Sequence, residues 1–174
     1  MTAATEGGDD SRGRPPADPR AILAVLHTHL VDFLVVGGLA VIAHGYTRFT
    51  QDLDILPSPA DANAARLAAA LRELEAVAAG MRGERLPLDL THPESLVVGN
   101  YFLITKHGAM DLFNGPRPDL LRYRRLDAAA VELEVLGTTI KVISKADLIA
   151  MKREAGRPKD LADIAALTEV ERNP

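Results

Sequence analysis

Val35-Val36-Gly37-Gly38-Leu39-Ala40 and, past His44-Gly45, Arg48-Phe49-Thr50-Gln51-Asp52-Leu53-Asp54-Ile55-Leu56 decide how this chain is read. The wholly apolar run at 33–36 ends in glycine and predicts a short buried strand. The glycine pair then opens a short helix over 39–43, and the Asp-x-Asp run predicts a second strand over 52–56, stopped by Pro57-Ser58-Pro59. On that strand Asp52 and Asp54 are two residues apart, so both carboxylates point to one face. Adjacent carboxylates repel and raise each other's pKa unless a cation lies between them. An acidic pair beside a glycine turn therefore points to a divalent metal and a phosphate. The unpaired N–H groups after Gly38 offer an anion site, and glycine lets a phosphate approach without a Cβ in the way.

Working outward, residues 1–18 are Gly, Asp, Arg, Pro and Thr with almost nothing to bury, and are expected to be a disordered tail. Ile22, Leu23, Val25, Leu26 and Leu30 recur at helical spacing and predict a helix over 19–29. The Ala/Leu-rich stretch predicts a long helix over 61–79, ended at Gly80. β-branched and aromatic runs around 86–90, 100–105 and 109–113 predict strands, the last two as an antiparallel pair. Residues 118–126 read as a short helix or irregular segment, and 131–136 with 139–143 as a hairpin turning at Gly137. Ser144 with Asp147 opens a helix to Ala155, and Pro158 opens a last one to about Val170. The expected fold is α/β (α+β): one domain over 19–174 with a small mixed sheet flanked by helices. Residues 144–174 form a helical cap.

The 174 residues contain no cysteine, which excludes disulfides, Cys-type zinc sites and thiol nucleophiles. No apolar run has the length of a membrane span or the form of a signal peptide, so a cytoplasmic protein without a membrane partner is expected. The net charge of −4 argues against a wholly basic nucleic-acid surface. Basic residues nevertheless outnumber acidic ones between 117 and 159, opposite in sign to the acidic first half. A nucleoside triphosphate with its metals would suit that division.

Two carboxylates are few for two metals, and Asp111, mid-run in Ala109-Met110-Asp111-Leu112-Phe113, is the best third ligand. Gly-Gly, a short helix, apolar-Asp-apolar-Asp-apolar and a later apolar-Asp-apolar together resemble the nucleotidyltransferase superfamily that includes DNA polymerase beta. The string Gly37-Gly38-Leu39-Ala40, His44-Gly45, Arg48-Phe49-Thr50, Asp52-Leu53-Asp54 is similar to its small bacterial branch, the AbiEii-type toxins and stand-alone predicted nucleotidyltransferases. The closing stretch from Ser144-Lys145-Ala146-Asp147 through Lys152 to Gly156-Arg157-Pro158-Lys159-Asp160 is similar to it as well.

The resemblance implies metal-dependent transfer of an NMP from a nucleoside triphosphate to an acceptor hydroxyl, with pyrophosphate released. Asp52, Asp54 and Asp111 would be catalytic, binding two Mg2+ ions or Mn2+, and Asp111 would also help deprotonate the acceptor. Gly37 and Gly38 would hold phosphates, with Arg48, Thr50, Lys152 and Lys159 as further nucleotide contacts. Much of the superfamily has serine where this chain has Gly38, which removes one hydroxyl contact. The branch also implies a toxin with an antitoxin partner. The alternative is a non-catalytic nucleotide-binding or antitoxin-like regulatory module of the same fold. A dinucleotide-binding domain is disfavoured, since G-x-G-x-x-G is absent. The acceptor (transfer RNA, protein or small molecule) and the preferred base are not readable.

Overall fold

The computed structural model describes residues 13–170. Of the tail expected over 1–18, residues 1–12 lie outside the described residues. Residues 13–18 of that stretch are not loose. They lie along the sheet, with Ala109 N–H donating to Pro15 O (3.0 Å), Ala17 N–H to Gln51 O (2.7 Å) and Asp18 N–H to His107 O (2.7 Å).

Asp18 then caps α1 (Pro19–Thr28), its side chain accepting from Ala21 N–H, and Pro19 sits where its missing N–H does no harm. Ile22, Leu23, Val25 and Leu26 form the buried stripe. β1 (Phe33–Val35), α2 (Gly37–Ala43) and β2 (Asp52–Pro57) follow as expected, α2 beginning two residues early at the first glycine.

α3 (Asp61–Glu73) is shorter than the predicted 61–79. The chain reverses at Glu75, in the left-handed region at φ 52°, and Ala76 N–H closes the end on Leu71 O. Val77–Ala79 is strand β3, paired antiparallel with β4 (Arg85–Leu86). The Ala-rich pattern carried the helix prediction too far because a short edge-side strand of Val-Ala-Ala has no period of its own. The strand expected over 86–90 shrinks to β4, since Pro87 cannot donate to a ladder and Asp89 folds into a side-chain turn on Thr91. A 3-10 turn, Pro93–Val97, packs on α3.

β5 (Tyr101–Thr105) and β6 (Gly108–Leu112) are the expected antiparallel pair. α4 (Leu120–Ala129) is a regular helix capped by Asp119. β7 (Val131–Val135) and β8 (Thr138–Val142) form the hairpin, with Leu136 and Gly137 both at positive φ as a tight two-residue turn requires. Ser144 caps α5 (Lys145–Ala155), Gly156 ends it at φ 64°, and α6 (Pro158–Val170) completes the cap.

Among the described residues the strands form one eight-stranded mixed sheet in the order β4-β3-β5-β6-β2-β1-β8-β7. It is larger than the small sheet expected, because β3 and β4 extend it. β2 runs parallel to β6 and antiparallel to β1, and β1 is parallel to β8. Along β2, Leu53 and Ile55 are fully buried in the core with Leu67 and Leu71 of α3, while Asp52 and Asp54 alternate to the opposite face. Among the described residues no helix is long and apolar enough to cross a membrane.

Candidate active site

Strand register brings the acids together. In the parallel β2–β6 pair Asp54 stands opposite Asp111, and Asp52 opposite Ala109. Asp52 lies two residues before Asp54 and so shares its face. One carboxylate oxygen from each of the three lies within 4.8 Å of the others. Asp54 and Asp111 are buried and Asp52 is half-buried. Burial first, then the charges of Asp52 and Asp111, push the Asp54 carboxyl from 3.8 up to about 8, against the opposing Gly38 N–H and the Lys159 charge.

The glycine pair is required by close packing on this cluster. Gly37 has φ 61°, and a Cβ there would lie 1.6 Å from Asp54 Oδ2. A Cβ on Gly38 would lie 2.4 Å from Thr50 Oγ1 and 2.6 Å from Arg48 Nη2. The volume a serine would need at 38 is thus filled by Thr50 and Arg48. Gly38 N–H donates to Asp54 Oδ2 at 3.2 Å, so this amide already serves a carboxylate. The Thr50 hydroxyl donates to Asp52 Oδ1 at 3.3 Å and holds that carboxylate in orientation. His44 bonds through Nε2 to Ile143 O at 2.8 Å, a packed and satisfied side chain.

The helical cap closes one side of the site. Lys152 of α5 is buried and donates from Nζ to Asp163 Oδ2 (2.6 Å) and Asp160 Oδ1 (3.4 Å) of α6. Arg48 Nη1 reaches Asp163 Oδ1 at 3.1 Å, and Arg157 Nε reaches Asp160 Oδ2 at 2.7 Å. Two nearly inaccessible carboxylates thereby tie α5, α6 and the loop before β2 into one ionic network. Arg48, Lys152, Arg157 and Lys159 line the same cleft as the three acids and the glycine turn, with a volume of about 290 Å³. A second hollow of about 510 Å³ shares Asn100, Phe113 and Ala155 with it and adds Arg117 and Arg122. Together they have the dimensions of a small-molecule site.

All nine residues singled out in the sequence (Gly37, Gly38, Arg48, Thr50, Asp52, Asp54, Asp111, Lys152 and Lys159) therefore lie at or beside one cleft. Sequence reading missed Arg14, Asp160 and Asp163. The two aspartates carried a signal, being three apart on a helix that follows a lysine-bearing one. Arg14 carried none, standing in a Gly/Pro-rich stretch. Its guanidinium grips Asp111, Nη1 on Oδ1 and Nη2 on Oδ2 (3.2 Å), and Nη2 also faces Asp52 Oδ2 at 3.4 Å.

Whether these residues suit a divalent cation can be judged from the site itself. The donors are hard carboxylate oxygens, the type that magnesium and manganese take. A cationic guanidinium already lies against two of them, and burial, then the charges of the other two, raises the pKa of the third. The residues fit a divalent cation.

No family model matches the sequence, and no curated protein matches it. Among solved structures the chain is similar to the antibiotic-resistance factor ANT(2'')-Ia, with a TM-score of 0.57 and 14% identity over 87% of this chain and 81% of that one. It is also similar to a Thermotoga maritima protein assigned as a nucleotidyltransferase, with a TM-score of 0.54 and 15% identity over 87% of this chain and 94% of the other. At such identities the shared property is the fold, and the fold is nucleotidyltransferase-like.

Proposed function

We propose that the protein is a metal-dependent nucleotidyltransferase that moves an NMP from a nucleoside triphosphate to an acceptor hydroxyl. The observation that carries this reading is the β2–β6 register, which sets Asp54 beside Asp111 with Asp52 on the same face. The nucleotidyltransferase-like fold supports it.

Asp52, Asp54 and Asp111 would hold Mg2+, two ions in the fully loaded site, or Mn2+ in its place. When bound, the metal supplies neutralisation of phosphate charge and a more acidic acceptor hydroxyl. The chain's own residues do the rest. The Gly37–Gly38 turn, Arg48, Lys152 and Lys159 line the cleft that would take the phosphates, and Thr50 stands beside it and orients Asp52. Arg48 and Lys152 contribute mainly as a fixed field, since Asp163 holds both. The acceptor oxygen forms its bond to the α-phosphorus as the bond to pyrophosphate breaks, and its proton passes to a carboxylate oxygen of Asp111. Catalysis is positioning and charge stabilisation, with no covalent enzyme intermediate.

The test is pyrophosphate release from labelled triphosphates incubated with a cell lysate. We expect release by the parent and its loss in Asp52→Asn/Asp54→Asn and in Asp111→Asn; undiminished release in the double variant would refute the assignment. The fraction that takes label identifies the acceptor as RNA, protein or small molecule. A toxin role in an AbiEii-like pair is part of the same proposal. It predicts growth arrest on expression, relieved by a neighbouring antitoxin gene and absent for Asp52→Asn.

One observation favours the second reading, a binding module without turnover. Arg14 lies in the carboxylate cluster, as a permanent replacement for a metal would. Calorimetry with Mg2+ and each triphosphate separates the two, because nucleotide binding without transfer to any acceptor favours the module.

A further inference from the structure

We propose that Arg14 is a built-in competitor for the divalent cation, holding the carboxylate site closed until metal displaces it. The inference rests on the metal-site reading above and adds a control to it. Both oxygens of Asp111 accept from the Arg14 fork, and Asp52 Oδ2 faces the same guanidinium. A divalent cation bound by these oxygens would stand against a fixed positive charge in a poorly solvated cleft, where repulsion is weakly screened. Arg14 and the cation therefore exclude one another at Asp111.

The arginine is delivered there by construction. Residues 15–18 cross the starts of β2 and β6 and are pinned by three backbone hydrogen bonds, to Ala109, Gln51 and His107. Gly108 leaves the passage they need, since a Cβ there would lie 2.1 Å from Pro16 O. The strap ends in the α1 cap at Asp18, and Arg14 directly precedes its first pinned residue, Pro15. Its guanidinium also donates to Leu103 O at 3.2 Å and stands 5.8 Å from the centroid of the Phe102 ring. Its Nε is buried with no hydrogen-bond partner, so the seat is not a fully satisfied one. A group held by strong charge contacts yet incompletely satisfied is suited to displacement by a ligand of higher charge.

By linkage, docking of Arg14 weakens cation binding by the same factor that the cation weakens docking. The apparent cation affinity is reduced by the undocked fraction.

The test is Mn2+ binding, followed by electron paramagnetic resonance, to the full chain and to Arg14→Gln. We expect binding tighter on the order of tenfold in the variant, as removal of a mostly docked competitor gives. A second measurement needs no substitution. In the parent, the Arg14 side-chain 15N–H resonances should show hindered guanidinium rotation without metal and lose it as Mg2+ is added. Equal or weaker Mn2+ binding by Arg14→Gln, or resonances unchanged at saturating Mg2+, would overturn the inference. If Mn2+ binds both chains equally and Asp111→Asn abolishes it, the proposed function stands and only the role of Arg14 falls. Absence of Mn2+ binding in both chains sinks the two together.

Discussion

At the scale of single residues the site is set by side chains placed where their own energetics are poor. Asp54 is the extreme case, with its carboxyl pushed up to about 8 by burial and by the charges of Asp52 and Asp111. In the folded protein it keeps its proton up to that pH, whereas unfolded it releases it near 3.8. The folded state thus binds more protons in between, so this group's contribution is intact below the lower value and is lost as pH rises towards the upper one. In chelator, the melting temperature should fall as pH is raised from 5 to 8, and Asp54→Asn should flatten that slope. Gly37 is equally constrained. Gly37→Ala places a methyl group on Asp54 and strains a left-handed backbone, and should cost about 2–4 kcal/mol in urea unfolding. The glycine pair and both aspartates were legible in sequence because only a few residue types do these jobs. The reason for glycine at 38 was not, because the crowding comes from Thr50 and Arg48, which fold back onto it through the turn before β2.

At the scale of elements the cap is held by buried charge, which ties it to the loop before β2, together with Leu148 and Leu167 in the apolar core. Lys152, Asp160, Asp163, Arg48 and Arg157 pair with one another across α5, α6 and the loop before β2. Removing one member leaves buried charge without its counter-ion. Asp163→Ala should therefore destabilise by about 3–5 kcal/mol. Hydrogen exchange should rise first in α5 and α6, which would place the loss in the cap. The helices themselves could be read from Ser144, Gly156 and Pro158, whose chemistry is local. The spacing of Asp160 and Asp163 hinted at the network, but its pairing could not be read, because it depends on which turn of α6 faces Lys152. The end of α3 was also hidden: nothing in the Ala-rich run marks Glu75 as the residue that turns left-handed, and the strand that follows is defined by its pairing with β5 and β4.

At the scale of the whole molecule, an acidic strand face is opposed across a cleft by Lys152, Arg157 and Lys159 of the cap, with an arginine from before the first helix reaching in beside the acids. Saturation with Mn2+ at about a hundred times its dissociation constant should stabilise the full chain by about 2.7 kcal/mol, read as a rise in melting temperature. Asp111→Asn should remove that rise. Much of this arrangement was legible, because the two strands that carry the acids announce themselves by pattern. What pattern could not give was the sheet order, which puts β6 beside β2 rather than beyond it. The same order determines which strands are left at the outside. One margin is β4, only two residues long, and the other is β7, where Glu132 and Glu134 project exposed carboxylates. Neither margin offers a long, flat, uncharged row of amide groups for another chain to zip onto. Copies of this protein should consequently resist edge-to-edge aggregation at high concentration, and both margins favour recognition through side chains over lengthening of the sheet.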